Sequence, residues 1–275
     1  MTTPTYLTWL YVPGDRPGVV GKALHAGADV VLVDLEDAVA PDRKAYALDA
    51  TAELLADAAP GPSPVHVRIN ALDGPLAPAE IARLAGLPGL AGLRLPKVTD
   101  PGAIRMIAGE VPDTGLYALL ESAAGVEQAY AVATAHPRLR GIALGEADLR
   151  ADLGVTGDAG LAYARGRAVV AARAAGLPPP PQSVYPDIRD TEGLAHSCAV
   201  GRALGFLGRT AIHPRQLPVI EEAYLPTAGE IESAEEVVKA AATDAGALAL
   251  PDGRFVDAAV VAGAQRTLAL ATRHK

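Results

Sequence analysis

Residues 29–59 read DVVLVDLEDAVAPDRKAYALDATAELLADAA. A short, β-rich apolar run (29–35) passes through an acidic turn into a longer stretch with apolar residues at helical spacing, the signature of one strand followed by one helix. The same unit recurs along the chain. Further strand candidates are YLTWLYV (6–12), PVHVRIN (64–70), LAGLRLP (90–96), GLYALLE (115–121), LRGIALG (139–145), QSVYP (182–186) and GRTAIHP (208–214), with helix-like segments such as SAAGVEQAYAVATAH and LAYARGRAVVAARAAG between them. Strand then helix, eight times in one chain, predicts an α/β fold with parallel strands closed into a (β/α)8 TIM barrel. An open doubly wound sheet is disfavoured, because no GxGxxG turn follows the first strand. The weakest strand is the seventh, which follows Pro178 to Pro181.

The length of 275 residues suits the roughly 250 residues usual for that barrel. Beyond Tyr224 the pattern changes to PTAGEIESAEEVVKAAATDAGALAL, read as one amphipathic helix, then the turn PDGRF and a second helix to the C-terminus. The expected organisation is a catalytic barrel over 1–224 and a C-terminal helical arm over 225–275 that contacts a neighbouring subunit.

Half of the residues are hydrophobic but only 4% are aromatic, so the core is one of Ala, Val, Leu and Ile, which suits a buried parallel sheet. The net charge of −8 and the scarcity of rings argue against a nucleic-acid partner, which needs a basic footprint. Arginine supplies 19 of the 24 basic residues, and its planar fork suits carboxylates and phosphates. The single Cys198 excludes a disulfide framework and reads as a buried small side chain. MTTPTYLTWLYVPGDRP has no basic leader before its brief apolar run, and no segment nears the length of a membrane span, so a cytoplasmic protein without a membrane partner is expected.

Barrel chemistry sits at the C-terminal ends of the strands. Those exits carry Asp15 and Arg16, Asp34 with Glu36 and Asp37, Arg68 and Asn70, Lys97, Glu121 and Ser122, Glu146 and Asp148, Tyr185 and Asp187, and His213. The exits read as polar and the strand interiors as apolar. Taken singly, each residue has a plain role: an acid after a strand caps a helix, His213 is a loop hydrogen bonder, and Lys97 pairs with a carboxylate. Together, so many acids on one rim call for a divalent cation. Glu121 and Asp148, at the ends of adjacent strands, form the best ligand pair. Two carboxylates with water and substrate oxygens completing the shell is how Mg²⁺ is usually held, whereas Zn²⁺ would want His or Cys.

The motifs YVPGDRP, ADVVLVDLEDAVAPDRKAYA, VRIN, LPKV, ALLESAAGV, LGEADLRADLG, VYPDIRDTEGL and IHPRQLPVIEEAY occur in this order over nearly the whole chain. In them the sequence resembles the citrate lyase beta subunit-like family of acyl-CoA lyases, relatives of malyl-CoA lyase and the hydroxy-oxo-acid aldolases. The resemblance implies Mg²⁺ on Glu121 and Asp148, a substrate arginine at Arg68 facing the thioester oxygen, and an acidic pair, Glu36 and Asp37, that orders the metal's surroundings. It also implies a basic start, Arg16 with Lys22, for the phosphates of coenzyme A, and an acid or base from the arm at Asp257. The chain departs from the family in reading GEADL for the commoner GAEDL, and Ala258 and Ala259 stand where a Pro commonly follows the arm's Asp.

The activity so implied is retro-Claisen cleavage of a malyl-, citramalyl- or citryl-CoA type of 3-hydroxyacyl-CoA into an acyl-CoA and a 2-oxo acid by a homo-oligomer, trimer or hexamer. The alternatives are a metal-dependent thioesterase on the same thioesters and a subunit acting on acyl carrier protein thioesters.

Overall fold

The computed structural model describes residues 5–111, 113–243, 248–250 and 252–273. Its strands are β1 (Thr8–Pro13), β2 (Val30–Asp34), β3 (Val65–Arg68), β4 (Leu90–Leu95), β5 (Gly115–Leu120), β6 (Leu139–Leu144) and β7 (Arg209–Ala211), with a two-stranded pair, β8 (Leu248–Ala249) and β9 (Phe255–Val256), near the end. The helices are α1 (Pro17–Ala23), α2 (Lys44–Leu55), α3 (Ala77–Leu84), α4 (Pro101–Glu110), α5 (Ala123–Glu127), α6 (Ala129–Ala133), α7 (Glu146–Leu153), α8 (Ala162–Ala174), α9 (Thr191–Ala203), α10 (Gln216–Tyr224), α11 (Ala228–Thr243) and α12 (Ala258–Ala271). Two compact units result, one spanning Tyr6–Glu221 and one running on from Glu222 together with Thr5.

The expected closed eight-stranded barrel is not what forms. The sheet is an open, curled, parallel one of seven strands in the order β6-β5-β4-β3-β2-β1-β7. Residues 182–186 contribute only one isolated bridge, Gln182 to Arg209. The cause lies in the residues around it: Pro178 to Pro181 and Pro186 have no N–H to donate to a ladder. On the β6 side the segment is joined by a side chain. Ser183 Oγ donates to the carbonyl of Leu144 and accepts from the amide of Glu146.

Within the sheet, sequence and structure agree closely. β2 is buried along its whole length, as a strand covered on both faces must be, and pairs with β1 from Trp9↔Val30 to Pro13↔Asp34 and with β3 from Val31↔Val65 to Asp34↔Arg68. This register puts Asp34 and Arg68 side by side at the strand ends. Helix starts follow local chemistry: Asp100, Ser122 and Asp190 each cap their helix by accepting from a backbone amide two or three residues on.

In the second unit the helix read across 226–250 stops at Thr243, and β8 pairs antiparallel with β9. Asp252–Arg254 form the turn, in which Gly253, at φ +87°, occupies the left-handed region that a glycine tolerates. Ala234, Val237, Leu250, Val256 and Ala264 make this unit's small core.

Candidate active site

The acidic turn after β2 is built around Arg68. Asp34, buried at the end of β2, takes the guanidinium edge-on, with Nε to Oδ1 and Nη2 to Oδ2 both at 2.7 Å. The same carboxylate accepts from the amides of Glu36 and Ala38, which folds the turn back over the strand end. That leaves Nη1, which lies 2.9 Å from Glu36 Oε2 and 3.3 Å from Asp37 Oδ2. The Glu36 contact is an ion pair without hydrogen-bond alignment, since Oε2 has no aligned donor. Burial works against the Arg68 charge, but Asp34, Tyr11 and Glu36 outweigh it and raise its pKa. The ring of Tyr11 lies 5.1 Å under the guanidinium carbon. Asp37 is 57% exposed on its side chain and so faces solvent.

Lys97 closes the cluster from β4. Its Nζ meets Glu36 Oε1 at 2.5 Å, and its backbone amide donates to Glu121 Oε2 at 2.9 Å. Burial raises the pKa of Glu36 even against these two cations. Glu121, at the exit of β5, is the most perturbed carboxylate: burial first, then Glu36, push its pKa up to about 7, with Asp148 adding to the repulsion and Lys97 and Arg68 opposing it. The glycine at 145 gives Glu121 its room, because a Cβ there would stand 2.3 Å from Oε1.

Asp148 is not at the end of β6 but a turn further on, in the first turn of α7. Its carboxylate is half-buried and has no hydrogen bond or ion pair among the described residues, while it perturbs Glu121 directly. Magnesium fits these two groups. Both offer the hard carboxylate oxygens that it prefers, and a cation would offset the burial and the neighbouring negative charge that raise the pKa of Glu121. No group of three or more His, Cys, Asp or Glu side chains poised for a metal exists among the described residues, so water and substrate would supply the remaining ligands. Glu146 is otherwise engaged: Arg165 holds it through two hydrogen bonds of 2.8 and 2.7 Å.

The other anticipated residues divide. Arg16 and Lys22 are exposed at the two ends of α1, and no hydrogen bond or ion pair joins either to Arg68, Glu36 or Glu121. Asp257 lies in the second unit, where it caps α12 by accepting from Val260 N at 3.0 Å. His213 accepts from the amide of Arg215, and Tyr185 donates to the capping Asp190. Cys198 is buried beside Arg209.

Sequence reasoning passed over the brace behind the turn. Lys44 Nζ donates to the carbonyls of Leu35 and Glu36 and to Asn70 Oδ1 at 2.7, 2.6 and 2.8 Å. Asn70 gives its amide N–H and side-chain N–H to Glu80, 2.8 and 2.5 Å away. The only sequence signal was a glutamate at a core-facing position of α3. The strand interiors are also less apolar than read: His66 and Arg94 are buried inside β3 and β4.

Residues 7–214 match the family model described as HpcH/HpaI aldolase/citrate lyase. A (3S)-malyl-CoA thioesterase of Cereibacter sphaeroides is 35% identical over 268 residues, covering 95% of this chain and 93% of that one. An L-malyl-CoA/beta-methylmalyl-CoA lyase of Rhodobacter capsulatus is 31% identical, covering 93% and 91%. The crystal structure of CitE from Mycobacterium tuberculosis in complex with magnesium, acetoacetate and coenzyme A superposes with a TM-score of 0.84 at 30% identity, covering 97% of this chain and 98% of that one.

Proposed function

The chain belongs to the HpcH/HpaI aldolase/citrate lyase family, and from that premise we propose that it is a magnesium-dependent carbon–carbon lyase, cleaving a 3-hydroxyacyl-CoA to an acyl-CoA and a 2-oxo acid. The observation that carries this reading is a pair of neighbouring acids: Glu121, buried near Arg68 and resisting ionisation, and Asp148, with no partner among the described residues. The lyase of R. capsulatus and the magnesium- and coenzyme-A-bound CitE support it by kinship.

In the cleavage the hydroxyl loses its proton, the bond between C2 and C3 breaks, C3 becomes the carbonyl of the oxo acid, and C2 takes a proton as the thioester enolate collapses. Magnesium held by Glu121 and Asp148 would supply Lewis acidity toward the substrate's carboxylate and neighbouring oxygen. Arg68 presents Nη1 to the thioester oxygen while its other edge stays locked on Asp34, a preorganised charge of the sort that stabilises an enolate best. Asp37, the exposed member of the cluster, gives way on that nitrogen to substrate, while Lys97 holds the other oxygen of Glu36. Asp257, from the arm of the same or a neighbouring copy in a homo-oligomer, exchanges the proton at C2. Arg16 and Lys22 meet the phosphates of coenzyme A.

A second reading, hydrolysis of the thioester, is favoured by kinship with the C. sphaeroides thioesterase. Products separate the two. Malyl-, citramalyl-, methylmalyl- and citryl-CoA are incubated with the protein and Mg²⁺ and analysed by mass spectrometry. Oxo acid plus a shorter acyl-CoA is the expected outcome. Free hydroxy acid plus CoA would establish the thioesterase, and turnover only with the same acids on an acyl carrier protein would establish a subunit working within a complex. No helix among the described residues is long and apolar enough to cross a membrane.

A further inference from the structure

Beside Arg68 and toward the N-terminal ends of the strands, the curled sheet buries a second set of polar side chains for which the proposed reaction has no use. Trp9 stands two residues before Tyr11 on β1 and His66 two residues before Arg68 on β3, so each shares its partner's face of the sheet. Arg94 on β4 is in register with Arg68 and Tyr117. β2 and β3 separate β1 from β4, yet the Arg94 guanidinium carbon lies 5.8 Å from the Trp9 ring centre, so these side chains meet across the concave face. Tyr117 completes the layer, 5.3 Å from Arg94 and with its ring centre 4.6 Å from that of His66.

Arg94 and His66 are each 2% exposed and Trp9 7%. Arg94 makes no ion pair with any carboxylate among the described residues, and its charged neighbour is another cation, Arg68. A guanidinium keeps its proton in proteins, and a buried charge without a counter-charge is costly. The faces of Trp9 and Tyr117 offset part of that cost. Three buried nitrogens of this one layer, Arg94 Nε, Trp9 Nε1 and His66 Nδ1, have no hydrogen-bond partner. Two of them can only donate and the third donates in one tautomer, so what satisfies them is an acceptor. A negative charge would also balance Arg94, which a water molecule cannot do. The rings of His66 and Tyr117 pack over Gly92, where a Cβ would sit 2.7 Å from His66 and 2.8 Å from Tyr117.

We propose that this layer holds one small monovalent anion of the halide class, bound by Arg94, Trp9 and His66 beneath the acidic cluster. Arg68 and Tyr11 border this site on the side of the acidic cluster.

Crystals of the full chain soaked in bromide test this by anomalous scattering. The expected result is a peak within hydrogen-bonding range of Arg94 Nε and Trp9 Nε1, absent from Arg94→Met. In solution, replacing chloride by gluconate at constant ionic strength lowers the wild-type melting temperature by several degrees, as loss of a ligand bound only by the folded state must, and leaves Arg94→Met unmoved. Trp9→Phe, which keeps the ring and removes one donor, shows reduced bromide occupancy and serves if Arg94→Met does not fold. No anomalous peak between these residues, density for water alone, or an undiminished peak in the variants overturns the proposal.

Discussion

The backbone amide of Lys97 donates to Oε2 of Glu121 at 2.9 Å, from a residue whose φ of +53° lies in the left-handed region. For a side chain bearing a Cβ that conformation costs about 1 kcal/mol or more. The fold spends it where one residue serves two acids, by its backbone toward Glu121 and by its ammonium toward Glu36. Lys97→Gly relieves the backbone and deletes only a partly exposed ion pair, so stability changes by less than about 1 kcal/mol. Turnover falls roughly tenfold or more, because Glu36 then loses the ammonium on its Oε1 and competes more strongly with substrate for Arg68 Nη1. Urea unfolding beside steady-state kinetics checks the split; a parallel loss of both would show that Lys97 is merely structural.

Gly145 is needed for space and not for its backbone, since its φ of −96° suits any residue. Gly145→Ala places a methyl where Glu121 Oε1 now lies, at 2.3 Å, and the carboxylate has to swing away. The expected result is a folded protein whose magnesium requirement rises at least tenfold, or about 1.4 kcal/mol in affinity, read from activity against Mg²⁺ concentration. An unchanged requirement would remove Glu121 from the metal site.

The brace behind the acidic turn has its own signature. Lys44→Met removes three hydrogen bonds and leaves the carbonyls of Leu35 and Glu36 and the Oδ1 of Asn70 without that donor, which costs about 1–3 kcal/mol. Because the lost bonds set the direction of Glu36 and Asp37, kcat drops more than KM rises, and Lys44→Arg recovers part of kcat. Equal kcat in the folded Lys44→Met protein would show that the turn holds its shape unaided.

Strand positions were legible because each apolar run is short, β-rich and followed by a helix. Closure was not: QSVYP has strand composition, and only the backbone shows that it keeps one bridge, Gln182 to Arg209, between the prolines at 178–181 and 186. Arg68, Glu36, Asp37 and Glu121 could be found at strand exits because parallel register aligns such exits. Asp148 reaches the same neighbourhood from α7, so its proximity to Glu121 depended on how the β6 exit turns. The layer of Trp9, His66 and Arg94 was hidden by composition: one polar residue inside LAGLRL or PVHVRIN barely alters an apolar average. The signal was positional, a polar residue two places before or in register with a site residue on the same sheet face.

Protonation of Glu121 couples metal binding to pH. Its pKa is raised from an ordinary 4.5 to about 7, mostly by burial and then by Glu36. Between those values the folded, metal-free protein holds a proton that the unfolded chain has released, so its stability is greatest below pH 4.5 on this account and falls as pH rises through 7. Magnesium binds the ionised carboxylate and therefore gains affinity across the same window, levelling above it. The melting-temperature increase given by a fixed Mg²⁺ concentration should grow from pH 5.5 to 7.5. Glu121→Gln should flatten both profiles; a wild-type increase independent of pH would contradict the assignment.

Asp257 carries two readings that one substitution separates. Its carboxylate caps α12 through the amide of Val260, and removing a cap costs about 1 kcal/mol. Asparagine caps as well as aspartate does but cannot exchange a proton at C2. Asp257→Asn should therefore melt with wild-type protein and still bind magnesium while cleavage falls by a factor on the order of 100 to 10,000, the range for loss of a general acid or base. Asp257→Ala should lose the same activity and about 1 kcal/mol of stability besides. If Asp257→Asn cleaves at the wild-type rate while Asp257→Ala is only less stable, the residue is a helix cap and the proton at C2 comes from elsewhere. Should the activity loss hold, mixing inactive Asp257→Asn with inactive Glu121→Gln decides which copy supplies the acid. Activity recovered in the mixed oligomer means that the arm of one copy completes the site of its neighbour, and no recovery means that each chain completes its own.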